Sequence, residues 1–150
     1  MLSSDAKIRM IDALGSQSAG NEILGSMGFY GGFVLNSDAS VKQSAGDIQA
    51  IPDSGGAPGT YRVLLTSALN SQVKSIDWFS VKGFTPRNPT DAETCEARVT
   101  GYNFDSTKSQ WYITVQIALL SSQAVTATPP QNFVVGVRMA ATLKSTSNPQ

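Results

Sequence analysis

The segment "GNEILGSM" at residues 20–27 has the glycine spacing of a phosphate-binding P-loop, which reads G-x-x-x-x-G-K-[ST]. Ser26 stands where a lysine would reach the phosphates, and Met27 stands where a hydroxyl would bind magnesium. A working P-loop also follows a strand and begins a helix, so that backbone amides meet the phosphate. Here the apolar pair Ile23 and Leu24 lies between the glycines. We therefore interpret the two glycines as residues that end short helices, and we expect no bound cofactor.

Histidine is absent from all 150 residues, so the usual general base and the commonest metal ligand are missing. A Ser-His-Asp triad cannot be built, and a zinc site with one cysteine would be unusual. That cysteine, Cys95, has no partner for an intrachain disulfide and is interpreted as a small buried thiol. We therefore expect no metal site and no catalytic residue.

Two carboxylates could still perform glycosidic hydrolysis. The candidates are Asp77, Asp91, Glu93, Glu96 and Asp105. Glu93 and Glu96 lie three residues apart in a predicted strand, so their side chains face opposite sides. Asp91 and Glu93 could share a face, although Arg87 and Arg98 nearby indicate ordinary surface ion pairs. The acidic segments "NSDAS" (36–40) and "DSTKS" (105–109) have too few acidic ligands for a calcium motif and are interpreted as turns.

The overall charge favours neither nucleic acid nor an anionic membrane as partner, because eleven basic residues balance eleven acidic ones. Only 15% of the residues are charged, so the surface must be largely Ser, Thr, Asn, Gln and Gly, as in many extracellular β proteins and virion components. No apolar run approaches the roughly 20 residues of a membrane span. The start, "MLSSDAKIRM", lacks the pattern of a secretion signal, so we expect synthesis in a cytoplasm.

The N-terminal part is predicted to be helical. Residues 4–14 begin with the capping residue Ser4 and place Ile8, Ile11 and Leu14 on one face, and a second short segment covers residues 18–26. Both helices are too short to be stable alone, so they must dock on a sheet or on a partner. We assign residues 1–27 to an N-terminal helical arm.

The rest of the chain is predicted to be mainly β. Residues 28–60 are expected to be irregular and loop-rich with short strands, residues 61–144 to form an antiparallel β domain, and residues 145–150 to be a tail. The clearest hairpin joins 93–104 to 110–120, and alternation predicts that Ile113, Val115 and Ile117 share one face of its second strand. The linker "SSQAVTATPPQ" lets a last alternating strand at 132–143, with Val135 and Met139 on one face, cross over or pair by a long connection. The predicted fold is an antiparallel β-sandwich or barrel with a short N-terminal helical segment.

Two stretches carry a resemblance. The opening "LSSDAKIRMIDALGSQSAGNEILGSM" resembles the helical start of small structural proteins of tailed-bacteriophage virions, and "GYNFDSTKSQWYITVQ…ATPPQNFVVGVRMAATLKST" is similar to their last hairpin and strand. The resemblance covers about the first 27 and last 50 residues. It implies a non-enzymatic capsid-decoration (cement) or fibre-like protein that forms a homotrimer, binds the major capsid protein and is located in the virion.

The alternative is a fibre or knob domain that binds a receptor or a glycan. That function needs an exposed aromatic platform, for which Phe29, Tyr30 and Trp78 are candidates. A long repetitive shaft before the domain would favour it. Because the chain starts at Met1 without such a shaft, decoration is the leading expectation.

Two sets of contact residues follow from these expectations. The candidates for capsid contact are Leu2, Ile8, Ile11, Leu14, Ile23, Leu24, Phe29 and Tyr30. The helical stripe in this set could equally cap the protein's own barrel, and "GFYGGF" (28–33) could be a contact loop or a hinge packed on the sheet. The second faces of the two last strands are also apolar, which suggests either a trimer interface or a sandwich with both sheets covered. The trimer-interface candidates are Tyr112, Ala118, Leu120, Val134 and Ala140.

Overall fold

Eight strands and one four-residue helix make up the part of the chain that the computed structural model describes, residues 26–85 and 95–144. The elements in chain order are β1 (Ser26–Leu35), β2 (Val41–Gly46), β3 (Ile48–Pro52), β4 (Thr60–Leu65), α1 (Ser67–Asn70), β5 (Val73–Phe84), β6 (Cys95–Asp105), β7 (Gln110–Leu119) and β8 (Phe133–Leu143).

The strands form two antiparallel four-stranded sheets that pack face to face. The first sheet has the order β2-β1-β8-β5, and the second has the order β3-β4-β7-β6. The predicted sandwich is confirmed, and the barrel alternative is not, because each sheet ends in edge strands. The described helix α1 lies between β4 and β5, whereas the predicted helical arm lies outside the described residues except for Ser26 and Met27, which begin β1.

Period-two alternation places the core between the sheets. In β7 the side chains of Ile113, Val115 and Ile117 are fully buried, and in β8 those of Val135 and Met139 are too. Both sets were predicted to share one face, and that prediction is confirmed. The predicted hairpin is also present, since β6 and β7 pair from Cys95↔Leu119 to Asp105↔Gln110.

The segment 28–60, expected to be irregular and loop-rich with short strands, contains most of β1 and all of β2 and β3 and is largely β-structure. "GFYGGF" (28–33) lies within β1, which pairs with β2 on one side and with β8 on the other. β2 and β3 follow, separated only by Asp47, and take the chain from the first sheet to the second. The interpretation of "GFYGGF" as a contact loop or hinge is therefore wrong, because hydrogen bonds to both neighbours hold it as a central strand.

The connection between β7 and β8, residues 120–132, crosses from the second sheet to the first, as predicted for the "SSQAVTATPPQ" linker. It runs back along β7: the Leu119 amide donates to the Ala124 carbonyl, and the Thr126 amide donates to the Ile117 carbonyl, each at 2.9 Å. Ala118 pairs with Val125 of this connection and is fully buried.

Candidate functional site

The outer side of the first sheet carries four of the large apolar side chains that the described chain leaves exposed. They are Tyr30 in β1, Trp78 and Phe84 in β5, and Val134 in β8, with exposures of 72%, 44%, 49% and 37%. The register spreads them along the outer side of the sheet, since Phe84 pairs with Val134, Tyr30 pairs with Arg138 beyond the Gly136 row, and Trp78 pairs with Ala140. We call this outer side of β1, β8 and β5 the aromatic face. Exposed apolar patches of this kind commonly mark interaction sites.

Two glycines leave the middle of the aromatic face without side chains. Gly32 and Gly136 are paired neighbours on β1 and β8. A Cβ atom on Gly32 would lie 2.4 Å from the Val135 carbonyl oxygen, so no larger residue fits there without a backbone shift. At Gly136 a Cβ atom would lie 3.2 Å from the Phe84 ring, which leans over this position. The two glycines therefore form a floor between taller side chains.

A groove of about 410 Å³ opens above Gly136. It is lined by Tyr30, Gly31, Ser80, Val81, Lys82, Phe84, Gly136, Val137 and Arg138. The lining includes two cations and no carboxylate. The Lys82 ammonium lies 5.5 Å from the centroid of the Phe84 ring. Within residues 26–85 and 95–144 neither Lys82 nor Arg138 forms an ion pair, because both ion pairs of that part involve Arg62.

The outer side of the second sheet, which we call the ion-paired face, has the opposite character. Arg62 lies 3.5 Å from the Asp53 carboxylate and 3.1 Å from the Asp105 carboxylate, and its guanidinium carbon lies 4.4 Å from the centroid of the Tyr112 ring. The backbone amide of Lys108 is the main cause that lowers the pKa of Asp105. Burial opposes it, but the Thr107 amide and the charges of Arg62 and Lys108 add to the lowering. The charge of Arg62 is thus already balanced by two carboxylates within the chain.

One further polar cluster fixes the edge of the aromatic face. Asp77 stands at a bulge of β5 and accepts hydrogen bonds from Ser26, from Thr142 at 2.6 Å and from Ser75 at 2.8 Å. Partial burial opposes its ionisation, but the three hydroxyl donors outweigh that effect and lower the pKa of Asp77. Asp77 therefore ties the start of β1 and the end of β8 to β5.

The carboxylate candidates are not assembled into a catalytic pair. Asp77 and Asp105 lie on different sheets and hold the separate contacts described above, and Glu96 lies on β6 opposite Ala118. Asp91 and Glu93 lie outside the described residues. Within the described ranges no group of three or more Cys, Asp or Glu side chains is arranged to hold a metal ion. The segments at 36–40 and 105–109 are turns, as predicted, in which Asp38 and Asp105 accept from amides two or three residues later.

The capsid-contact candidates have different outcomes. Phe29 points into the core and is 8% exposed, whereas its neighbour Tyr30 is the most exposed large apolar residue of the described chain. The other six, Leu2, Ile8, Ile11, Leu14, Ile23 and Leu24, lie outside the described residues. Among the aromatic-platform candidates, Tyr30 and Trp78 are exposed and Phe29 is not.

The trimer-interface candidates are distributed over both sheets. Ala118 and Ala140 are 0% and 1% exposed in the single chain and have no surface to offer a partner. Tyr112 packs under Arg62 on the ion-paired face, while Leu120 and Val134 are exposed. The apolar second faces that suggested an interface are thus partly covered by the chain itself, at Ala118 beside the β7–β8 connection and at Ala140 beside Trp78.

No protein-family model, no curated protein and no solved structure matches this chain. Among the described residues, no helix is long and apolar enough to cross a membrane. Sequence reasoning singled out Tyr30 and Trp78 but not the groove, because Lys82, Phe84 and Arg138 join them only through the pairing of β5 and β8.

Proposed function

We propose that this protein is a non-enzymatic structural protein of a virion, a capsid-decoration (cement) protein that binds the outer capsid lattice as a homotrimer and stabilises it. The observation that supports this proposal is the aromatic face, which exposes Tyr30, Trp78, Phe84 and Val134 on the outer side of the first sheet. Tyrosine, tryptophan and arginine contribute most of the energy in protein–protein interfaces. The partner is the major capsid protein of the same virion.

A decoration protein adds buried area across the seams between capsomers. Each aromatic face buries its exposed rings against the lattice, which contributes about 25 cal/mol for every Å² of apolar surface removed from water. Three linked copies multiply a weak contact, because binding of the first raises the effective concentration of the others. The non-enzymatic part of the proposal is supported by Asp77 and Asp105, whose carboxylates are held by structural hydrogen bonds.

The trimer is proposed to join unlike surfaces of neighbouring subunits. A three-fold interface is heterologous, so a patch on one subunit contacts a different patch on the next. Val134 on the first sheet, Tyr112 on the second and Leu120 at the start of the β7–β8 connection can then belong to one contact without lying on the same face. Leu120 is 46% exposed and is the strongest of these candidates.

Light scattering behind a sizing column tests the trimer first. We expect a particle near three times the chain mass of 15.8 kDa. Leu120→Ser should shift that particle towards the monomer. A clean monomer that also fails to bind shells would contradict the proposal.

Co-sedimentation with empty shells of the same virus's major capsid protein tests the docking surface. We expect Tyr30→Ser and Trp78→Ser to weaken sedimentation with the shells at least about tenfold. Ile51→Ser is the matched control, because Ile51 is exposed to the same degree as Trp78 but lies on the second sheet. Equal losses for the control would contradict docking through the aromatic face.

A second function, recognition of a receptor or glycan as in a fibre knob, is favoured by the same face. It needs an exposed aromatic platform, and Tyr30 and Trp78 supply one. Lys82 and Arg138 beside it, which have no ion-pair partner among the described residues, favour an anionic ligand.

A further inference from the structure

We infer that the groove above Gly136 binds an acidic saccharide, a sugar unit carrying a carboxylate or sulfate group. This inference rests on the second function above and names its ligand. The groove is complete within one chain, since β1, β8 and β5 supply all of its lining. It therefore does not require a trimer or a capsid.

The shape of the groove fits a small ligand. Its volume of about 410 Å³ lies within the range of about 300 to 1,000 Å³ that is usual for ligand sites. Gly136 lowers the floor, and the Phe84 ring and the Lys82 stem form one wall. Tyr30 and Arg138, paired across β1 and β8, form the opposite wall. One or two sugar rings can lie between these walls.

The positive charges of the groove lining favour an anionic ligand. Lys82 and Arg138 are the ionic groups of the groove, and neither has a carboxylate partner among the described residues. A guanidinium binds a carboxylate or sulfate through two parallel N–H donors, and an ammonium adds a point charge. The anion would stand near Arg138, between β8 and the Lys82 side of the groove.

The aromatic rings of the groove can contact the uncharged part of an acidic sugar. A pyranose has a face of C–H groups that stacks on an aromatic ring, and its hydroxyls need donors and acceptors at the rim. Tyr30, 72% exposed, offers both a ring and a hydroxyl, and Phe84 offers a ring on the opposite wall. The Ser80 hydroxyl lies in the lining as a further partner.

An acidic peptide fits this groove less well. Peptides often bind sheets by adding a strand to a free backbone edge. Strands β1 and β8 beneath the groove are each hydrogen-bonded on both sides, so their backbone N–H and C=O groups are not available to pair with a peptide strand. The ligand must be recognised through side chains, as sugars are.

Amide-resolved NMR titration of the full ¹⁵N-labelled chain tests the inference. The probes are 3′-sialyllactose against lactose for the carboxylate, and galactose 6-sulfate against galactose for the sulfate. We expect at least one acidic probe to shift the amides of Tyr30, Lys82, Gly136 and Arg138, and to bind at least tenfold more tightly than its neutral counterpart. Raising the salt concentration should weaken that binding.

Variants then assign the contacts. Arg138→Gln and Lys82→Gln should each weaken the acidic probe about tenfold, because each removes a charge-assisted hydrogen bond. Lys74→Gln is the control, since Lys74 is exposed on the same strand about 26 Å from Lys82. Phe84→Ser should weaken the acidic and neutral probes alike. The NMR spectrum of each variant reports whether it is folded.

Three outcomes would overturn the inference. The first is no shift at the groove with any of the four probes at millimolar concentration. The second is equal affinity for acidic and neutral probes, and the third is tighter binding of a hexaglutamate peptide at the same amides. If the protein is a monomer and does not bind shells but does bind a saccharide, only the decoration proposal is contradicted. If shells bind and saccharides do not, only this inference falls.

Discussion

On the ion-paired face Arg62 has two carboxylate partners and the Tyr112 ring beneath it, whereas on the aromatic face Arg138 has no carboxylate partner among the described residues. The two faces belong to sheets of equal size that share one core. Their difference therefore does not come from the fold. It comes from the outward-facing residues, which selection can change without disturbing the core.

The difference indicates which face is available to a partner. A charged group that is satisfied within the chain must break its contacts before it can bind, while an unpaired cation beside exposed rings has little to lose. The aromatic face also lacks a side chain at Gly136, which leaves space for a ligand beside the Phe84 ring. Both features suit a surface that is completed by binding.

The largest effect is expected from glycine replacement on the aromatic face. Gly32→Ala should reduce the free energy of unfolding by about 2 to 3 kcal/mol, because its Cβ would lie 2.4 Å from the Val135 carbonyl oxygen and β1 would have to move. Gly28→Ala is the matched control on the same strand, where a Cβ meets nothing within 4 Å. We expect that control to be neutral or slightly stabilising. Urea unfolding measures both, and equal effects would show that the close strand approach is not what requires glycine at position 32.

An intermediate effect is expected from the two arginines. Arg62→Met should cost about 1 to 2 kcal/mol, because it removes two partly exposed ion pairs and the contact with the Tyr112 ring. Arg138→Met should change the free energy of unfolding by less than about 0.5 kcal/mol, since Arg138 has no ion-pair partner within the described chain. The same unfolding measurement compares them. A larger loss for Arg138→Met would mean that the aromatic face also depends on internal electrostatics.

Sequence reasoning succeeded where the signal is local. Alternation within β7 and β8 identified the buried side chains correctly, because burial of one face follows directly from the two-residue period. It failed for β1, whose glycines and aromatics in "GFYGGF" have the composition of a loop. Pairing with β2 and β8 imposes the strand there, and β8 lies more than 100 residues further along the chain.

The candidate site was harder to predict for the same reason. Tyr30 and Trp78 could be named as exposed aromatics, but their relation to Phe84 and Arg138 depends on the register of β1, β8 and β5. Two bulges in β5 shift that register, and no local pattern predicts them. Ala118 was predicted to lie in a trimer interface, but the β7–β8 connection of the same chain buries it.

The smallest effect is expected from the pH dependence of the Asp77 cluster, which anchors the aromatic face without any cation. The hydroxyls of Ser26, Thr142 and Ser75 lower the pKa of Asp77 in the folded state, so ionised Asp77 stabilises the fold at neutral pH. This contribution is complete above the unfolded pKa near 4 and is lost as the pH falls through the lower, folded pKa. Asp77→Asn should therefore be less stable than the parent at pH 7, by a fraction of a kcal/mol because Asp77 is mostly exposed. The difference should shrink as the pH falls below the folded pKa of Asp77. Because its partners are neutral, the difference at pH 7 should persist in 1 M salt, whereas the stability contributed by Arg62 should decrease there. If 1 M salt reduced the stability difference between the parent and Asp77→Asn, a charged group would also act on Asp77. The two faces would then differ only in degree.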